Sequence, residues 1–219
     1  MSIQSYIRRY VLFLTGVVLS ATGIAFITRA GLGTSPVSGL PFVLSLITTV
    51  SMGTYTFLFN MTFLVLEALL RKKFSIQQAL QIPVTFFFSF CIDKAMGFIP
   101  TRFGGPWGPS FVYLVIGCII MALGISFEVI ADVIMLPAEA FVRVLSQKTG
   151  IRFGNVKVAF DSTLTILAMV VALIAFHKLN GVREGTLINA LCVGHLVRLW
   201  RSFIEVPLKK ICTAEPVTE

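Results

Sequence analysis

The chain has 219 residues, of which 56% are hydrophobic and 13% charged, and its mean hydropathy is +0.90. A water-soluble domain carries about a quarter charged residues, so the composition excludes that class and points to a single all-α membrane domain, a polytopic bundle of transmembrane helices in the lipid bilayer. The net charge of +8 does not signal nucleic acid, because the basic residues cluster at the ends of apolar runs, as at Arg8-Arg9, Arg71-Lys72-Lys73, Arg198/Arg201 and Lys209-Lys210; topology-setting charges belong there, and no basic groove with spaced aromatics accompanies them.

The first apolar run, Tyr10 to Thr28, is long enough to span and has no small-residue cleavage site after it, which separates it from a signal peptide. A helix is expected over 10–29. It breaks at Arg29-Ala-Gly31-Leu-Gly33-Thr34-Ser35-Pro36. Gly31 and Gly33 permit backbone that a helix forbids. Thr34 or Ser35 can cap the next helix, and Pro36 suits its first turn. A short segment, 36–50, follows. Long helices are then expected over 53–70 and 76–99, the second containing Pro83. The Gly/Pro stretch Pro100 to Ser110 joins two halves, with Trp107 at a membrane interface. The second half gives a helix over 110–131, a short segment over 137–147, and long helices over 154–176 and 184–204. Trp200 and its basic neighbours form an interfacial anchor.

Shifting the sequence by 101 residues superposes the halves. Gly16 falls on Gly117, Gly23 on Gly124, Pro36 on Pro137, Val43-Leu44-Ser45 on Val144-Leu145-Ser146, and Gly53 on Gly154. Glycine and proline fix backbone geometry, so these matches argue for a duplicated unit, repeat 1 over 8–99 and repeat 2 over 109–204. The two proline-led segments are too short or too polar to cross the bilayer, which takes about 17–25 apolar residues. Six spans plus two re-entrant segments are favoured, with the halves inverted and both termini cytoplasmic. Eight spans with parallel halves are the alternative, and that arrangement puts Arg71-Lys72-Lys73 outside, against the positive-inside rule.

The candidate site residues follow from the breaks. A half-helix starting at membrane depth offers free N–H groups, so Gly31, Gly33, Thr34 and Ser35 are candidates for solute binding. The plain alternative is a surface turn. At the second break the glycines are replaced by acids. Glu128 and Asp132 share one helix face at i,i+4, and paired carboxylates in an apolar setting suit proton or ion coupling. A structural pairing of Glu128 with Arg29 or Arg143 competes with that role. Asn60 and Asp161 occupy equivalent positions in the halves and are expected to meet near the midplane as part of a solute site, unless they serve only to bind helices together. His195 reads as a packing residue.

No HExxH, GxSxG, phosphate loop or Cys/His metal spacing is present, so no enzyme, cofactor or metal is expected. The four cysteines are widely separated; three read as intramembrane small hydrophobes and one lies in the tail. The stretch Ala30-Gly31-Leu32-Gly33-Thr34-Ser35-Pro36, followed by a short helix and Gly53-Thr54, resembles the YczE/YyaS/YitT-like family of bacterial membrane proteins. That resemblance implies a bacterial cytoplasmic membrane location and carries over no substrate. The second half departs from the glycine pattern. The resulting expectation is a small secondary transporter or permease for an unknown small solute, plausible as a homodimer. The alternative is a non-transporting accessory, scaffold or sensor protein that partners another membrane complex.

Overall fold

The computed structural model describes residues 3–101 and 107–213, which form eight α-helices and no strand. They are α1 (Ile3–Arg29), α2 (Pro36–Ile47), α3 (Met52–Arg71), α4 (Ile76–Phe98), α5 (Trp107–Ala131), α6 (Pro137–Thr149), α7 (Phe153–Phe176) and α8 (Glu184–Thr213). Six are long and apolar enough to cross a membrane, while α2 and α6 have only 12 and 13 residues. The chain is therefore a multi-pass helical membrane protein. Two helices outrun the expectation: α1 starts at Ile3, and α8 continues through Pro207 to Thr213. Helical hydrogen bonding does not need an apolar sequence, so polar ends extend a helix past the hydrophobic run that reveals it.

Local chemistry sets the boundaries. Ser35 accepts from the Ser38 N–H at 3.3 Å and Pro36 opens the first turn of α2. Ser51 caps α3 through the Thr54 N–H at 3.1 Å. Ser75 and Gln78 form a capping box at the start of α4. Lys72, Gly150 and His177 close α3, α6 and α7 in left-handed conformation.

The central contact is α1 against α5. Gly16 lies on the Gly124 carbonyl, and Gly23 lies beside Gly117. As α1 advances from 16 to 23, its neighbour retreats from 124 to 117, so the helices are antiparallel. Close backbone approach at small residues is the usual source of helix association in lipid, where apolar burial alone offers little. The remaining directions follow from named contacts. Arg29, ending α1, donates to the Met96 carbonyl near the end of α4, so α1 and α4 run parallel. Gly53 meets Asp93, and Phe57 meets Phe86, so α3 and α4 are antiparallel. Ser126 reaches the Val197 carbonyl and Asn189 reaches Cys118, so α5 and α8 are parallel.

The short helices bridge the bundle. Leu40 and Val43 of α2 pack with Ala168 and Ala172 of α7, whereas Ala138 of α6 packs with Phe63 of α3. A second contact surface joins α1, α5 and α8, and Trp200 packs into it rather than standing free at an interface. At one end of the bundle Arg9 donates to the Ala131 and Asp132 carbonyls. This basic end also carries Arg71. The opposite end carries the Gly31–Ser35 break and Arg183.

Candidate functional site

At the basic end, a cavity of about 440 Å³ lies between α3, α4, α5 and α6. Its construction depends on the second break. α5 stops at Ala131, Asp132 adopts a left-handed φ of 46°, and the chain turns back until Pro137 starts α6. This puts Glu139, in the first turn of α6, into the same wall as Glu128 from α5. Glu67 and Arg71 come from α3, Gln77 and Gln81 from α4, and Arg143 from α6. The lining thus holds four carboxylates and two guanidiniums.

Each acid is held differently. Glu128 accepts a 2.6 Å hydrogen bond from the Ser20 hydroxyl on α1. Gly16 makes room for it, since a Cβ there would come to 3.0 Å from the Glu128 Cγ. Its partner is therefore a neutral hydroxyl, and Arg29 is turned to Met96 instead. The Glu67 side chain is 2% exposed; Oε1 takes the Arg71 guanidinium at 2.7 Å while Oε2 has no partner. Asp132 sits at the mouth with its side chain 85% exposed and Arg9 at 4.0 Å. Arg143 donates to the Met135 sulfur at 3.4 Å. The Gln81 Oε1 is buried and likewise has no partner. Buried acceptors without donors are costly in a membrane interior and are met by partners that supply N–H or O–H groups.

The other sequence candidates lie elsewhere. Gly31 and Gly33 have φ of 74° and 126°, and the break they form is buried against the start of α8. Thr186 accepts from the Thr34 N–H at 3.2 Å, the Gly185 N–H donates to the Leu32 carbonyl at 2.7 Å, and Arg183 donates to the Gly31 carbonyl at 3.2 Å. Thr34 also shares a 2.7 Å hydrogen bond with Thr28, and Ser35 is used as the cap of α2. The Thr34 N–H and the Gly31 and Leu32 carbonyls are thereby satisfied within the protein. Asn60 and Asp161 have separate partners: Asn60 accepts from the Ala138 N–H at 3.4 Å, and Asp161 pairs with Lys157 at 3.0 Å. His195 bonds the Leu191 carbonyl on its own helix.

The structure thus unites Glu128 and Asp132 in one cavity and places Gly31, Gly33, Thr34, Ser35, Asn60 and Asp161 outside its lining. It adds Glu67, Gln81 and Glu139, which the sequence reading passed over. One signal was available for part of this set. Gln78, Gln81, Thr85 and Ser89 recur at helical spacing on α4, marking a polar face inside an apolar span.

A cavity of this volume is within the range that accepts small molecules. No match exists among curated proteins or among solved structures. Residues 7–202 match the model of a family of unknown function, DUF6198, and the chain belongs to that family.

Proposed function

We propose that the protein is a small secondary transporter or permease that moves a small solute across the bacterial cytoplasmic membrane. The observation that carries this reading is the cavity: it leads from the basic end to buried, partly unsatisfied acceptors on Glu67 and Gln81 and to Glu128. Intramembrane carboxylates facing a polar cavity are costly unless used. The positive-inside rule assigns the basic end to the cytoplasm, with both termini, so the cavity is open inward. The likeness of the Gly31–Pro36 stretch to YczE/YyaS/YitT-like proteins supports the same membrane.

An inverted repeat supplies the means of alternating access. Its support is the pattern of contacts. Under the 101-residue shift Gly16 matches Gly117 and Gly23 matches Gly124, and the helices meet as Gly16 with Gly124 and Gly23 with Gly117. Two-fold related surfaces make such reciprocal contacts. The pairing of α2 with α7 and of α6 with α3 has the same exchange. In this reading α2 and α6 are re-entrant, and rocking one half on the α1–α5 crossing closes the inner cavity. Glu128 and Asp132 couple the movement to a proton or cation.

The test is flux. Purified protein in proteoliposomes, screened with a solute library by thermal shift, should yield a ligand whose uptake depends on the protein. Glu128→Gln and Glu67→Gln should each abolish uptake while eluting as folded protein. Full cellular function in both variants would end the transport reading in favour of a non-transporting accessory role.

A further inference from the structure

The polar wall of the cavity does not end at Gln81. Along the buried face of α4 it continues one turn at a time through Thr85 and Ser89 to Asp93, and it begins at Gln78. Thr85 is fully buried and Ser89 is 5% exposed. The side-chain oxygens of Gln81, Thr85 and Ser89 and the Gln78 amide nitrogen are all buried without a hydrogen-bond partner. From residue 78 to residue 93 a helix rises about 22 Å, most of the thickness of a hydrocarbon core.

α3 carries buried polar residues at the same depths. Its buried positions include Thr56, Asn60 and Glu67. The contacts of Gly53 with Asp93 and Ser89, and of Phe57 with Phe86, fix the antiparallel register. That register sets Thr56 level with Ser89, Asn60 level with Thr85, and Glu67 level with Gln78. At the far end, Asp93 accepts from the Gly53 N–H at 2.7 Å and the Ser51 hydroxyl at 2.6 Å, clasping the N-terminus of α3.

Structural polar residues in membrane helices satisfy themselves, as Thr56 does on the Met52 carbonyl. Gln81, Thr85 and Ser89, three successive α4 side chains on one face that leads out of the cavity, do not, and need another explanation. Resting on the transport reading, we infer that the α3–α4 seam is the outward leg of the permeation route, a hydrated path from the cavity to Asp93, closed at its outer end by the Asp93 clasp on α3. The buried faces of α3 and α4 add carboxylates at both ends and no lysine or arginine between Gln81 and Asp93. The route therefore suits a small hydrogen-bonding solute that is neutral or cationic, and it disfavours anions.

Substituted-cysteine accessibility tests this in the full chain with Cys91, Cys118, Cys192 and Cys212 replaced by serine. Single cysteines at Gln77, Thr85 and Ser89, and at the lipid-facing control Phe86, are treated with small hydrophilic methanethiosulfonates carrying either a positive or a negative charge. Ser89→Cys exchanges one atom, which keeps the test open if Thr85→Cys fails to fold. The expected result is modification of Thr85→Cys and Ser89→Cys about tenfold or more faster than Phe86→Cys, with the cationic reagent preferred. Asp93→Asn should speed modification of Ser89→Cys from the outer side. The seam is overturned if Ser89→Cys and Thr85→Cys react no faster than Phe86→Cys while Gln77→Cys reacts readily. That outcome leaves a wet inner cavity, and with it the transport reading, intact. Preference for the anionic reagent would overturn the stated solute class.

Discussion

Ser20 on α1 donates its hydroxyl to Glu128 on α5 at 2.6 Å, one turn from the place where Gly16 meets Gly124. The acid is thus fixed to the helix pair on which the proposed movement turns. Glu128→Gln preserves an acceptor for Ser20 and removes a carboxylate from the interior. The amide keeps the size and the acceptor of the acid, so thermal unfolding of the variant should occur at about the wild-type temperature. Uptake should fall by about tenfold or more in the same preparation. A matched fall in stability and uptake would make Glu128 a structural residue.

The α1–α5 crossing depends on absent side chains. A Cβ on Gly124 would stand 2.6 Å from the Ser20 hydroxyl and 2.7 Å from the Gly16 carbonyl, and backbone cannot yield as a side-chain tip can. Gly124→Ala should cost about 1–3 kcal/mol, read as a lowered unfolding temperature in detergent. Gly97→Ala is the control, because nothing lies within 4 Å of the added carbon. It should be neutral or slightly stabilising through helix propensity.

Gly33 combines a left-handed φ of 126° with close approach of Thr186. Gly33→Ala should cost about 1–3 kcal/mol from backbone strain alone, with more from displacing the start of α8. Gly154→Ala, in open space on α7, should leave the unfolding temperature unchanged. Equal effects from both would mean that the first break is not docked on α8.

Topology can be read by labelling. With native cysteines replaced, Lys72→Cys should react with an impermeant maleimide only in inside-out vesicles, and Lys178→Cys only in right-side-out vesicles. Reaction of Lys72→Cys from the outside would overturn the six-span arrangement and place the cavity on the other face.

α6 has no side-chain cap of its own, and its Ala138 N–H is taken by Asn60 from α3. Asn60→Ala should cost about 1–2 kcal/mol, as loss of a cap does elsewhere. Asn60→Asp keeps the acceptor and should recover most of that loss, since a carboxylate is favoured at a helix N-terminus. Unfolding temperatures of the two variants, measured side by side, decide it.

The helices and their breaks were legible because Pro36, Pro137, Gly31 and Gly33 leave local marks, and the apolar runs between them are long. Glu128 and Asp132 were legible as a pair for the same reason, since i,i+4 spacing is a local fact. The rest of the cavity was not. Glu67 precedes a basic triplet and looks like the end of a span; only the tertiary packing that leaves it 1% exposed shows that it faces inward. The fate of Thr34 was equally hidden, because its partner Thr186 is 152 residues away and no local pattern announces it. Repeat equivalence also misled at Asn60 and Asp161. Positions that correspond in two halves keep the same depth, but their partners depend on neighbours that have diverged, the first turn of α6 in one case and Lys157 in the other.

The borrowed cap has a consequence for biogenesis. α2, α3 and α4 each open on a serine of their own, whereas α6 takes its cap from α3. The first turn of α6 is complete only with α3 beside it, and the break before α2 is complete only with the start of α8 docked on it. Maturation is therefore reciprocal, and a chain severed after α4 would leave each fragment with open backbone groups that only the other can fill.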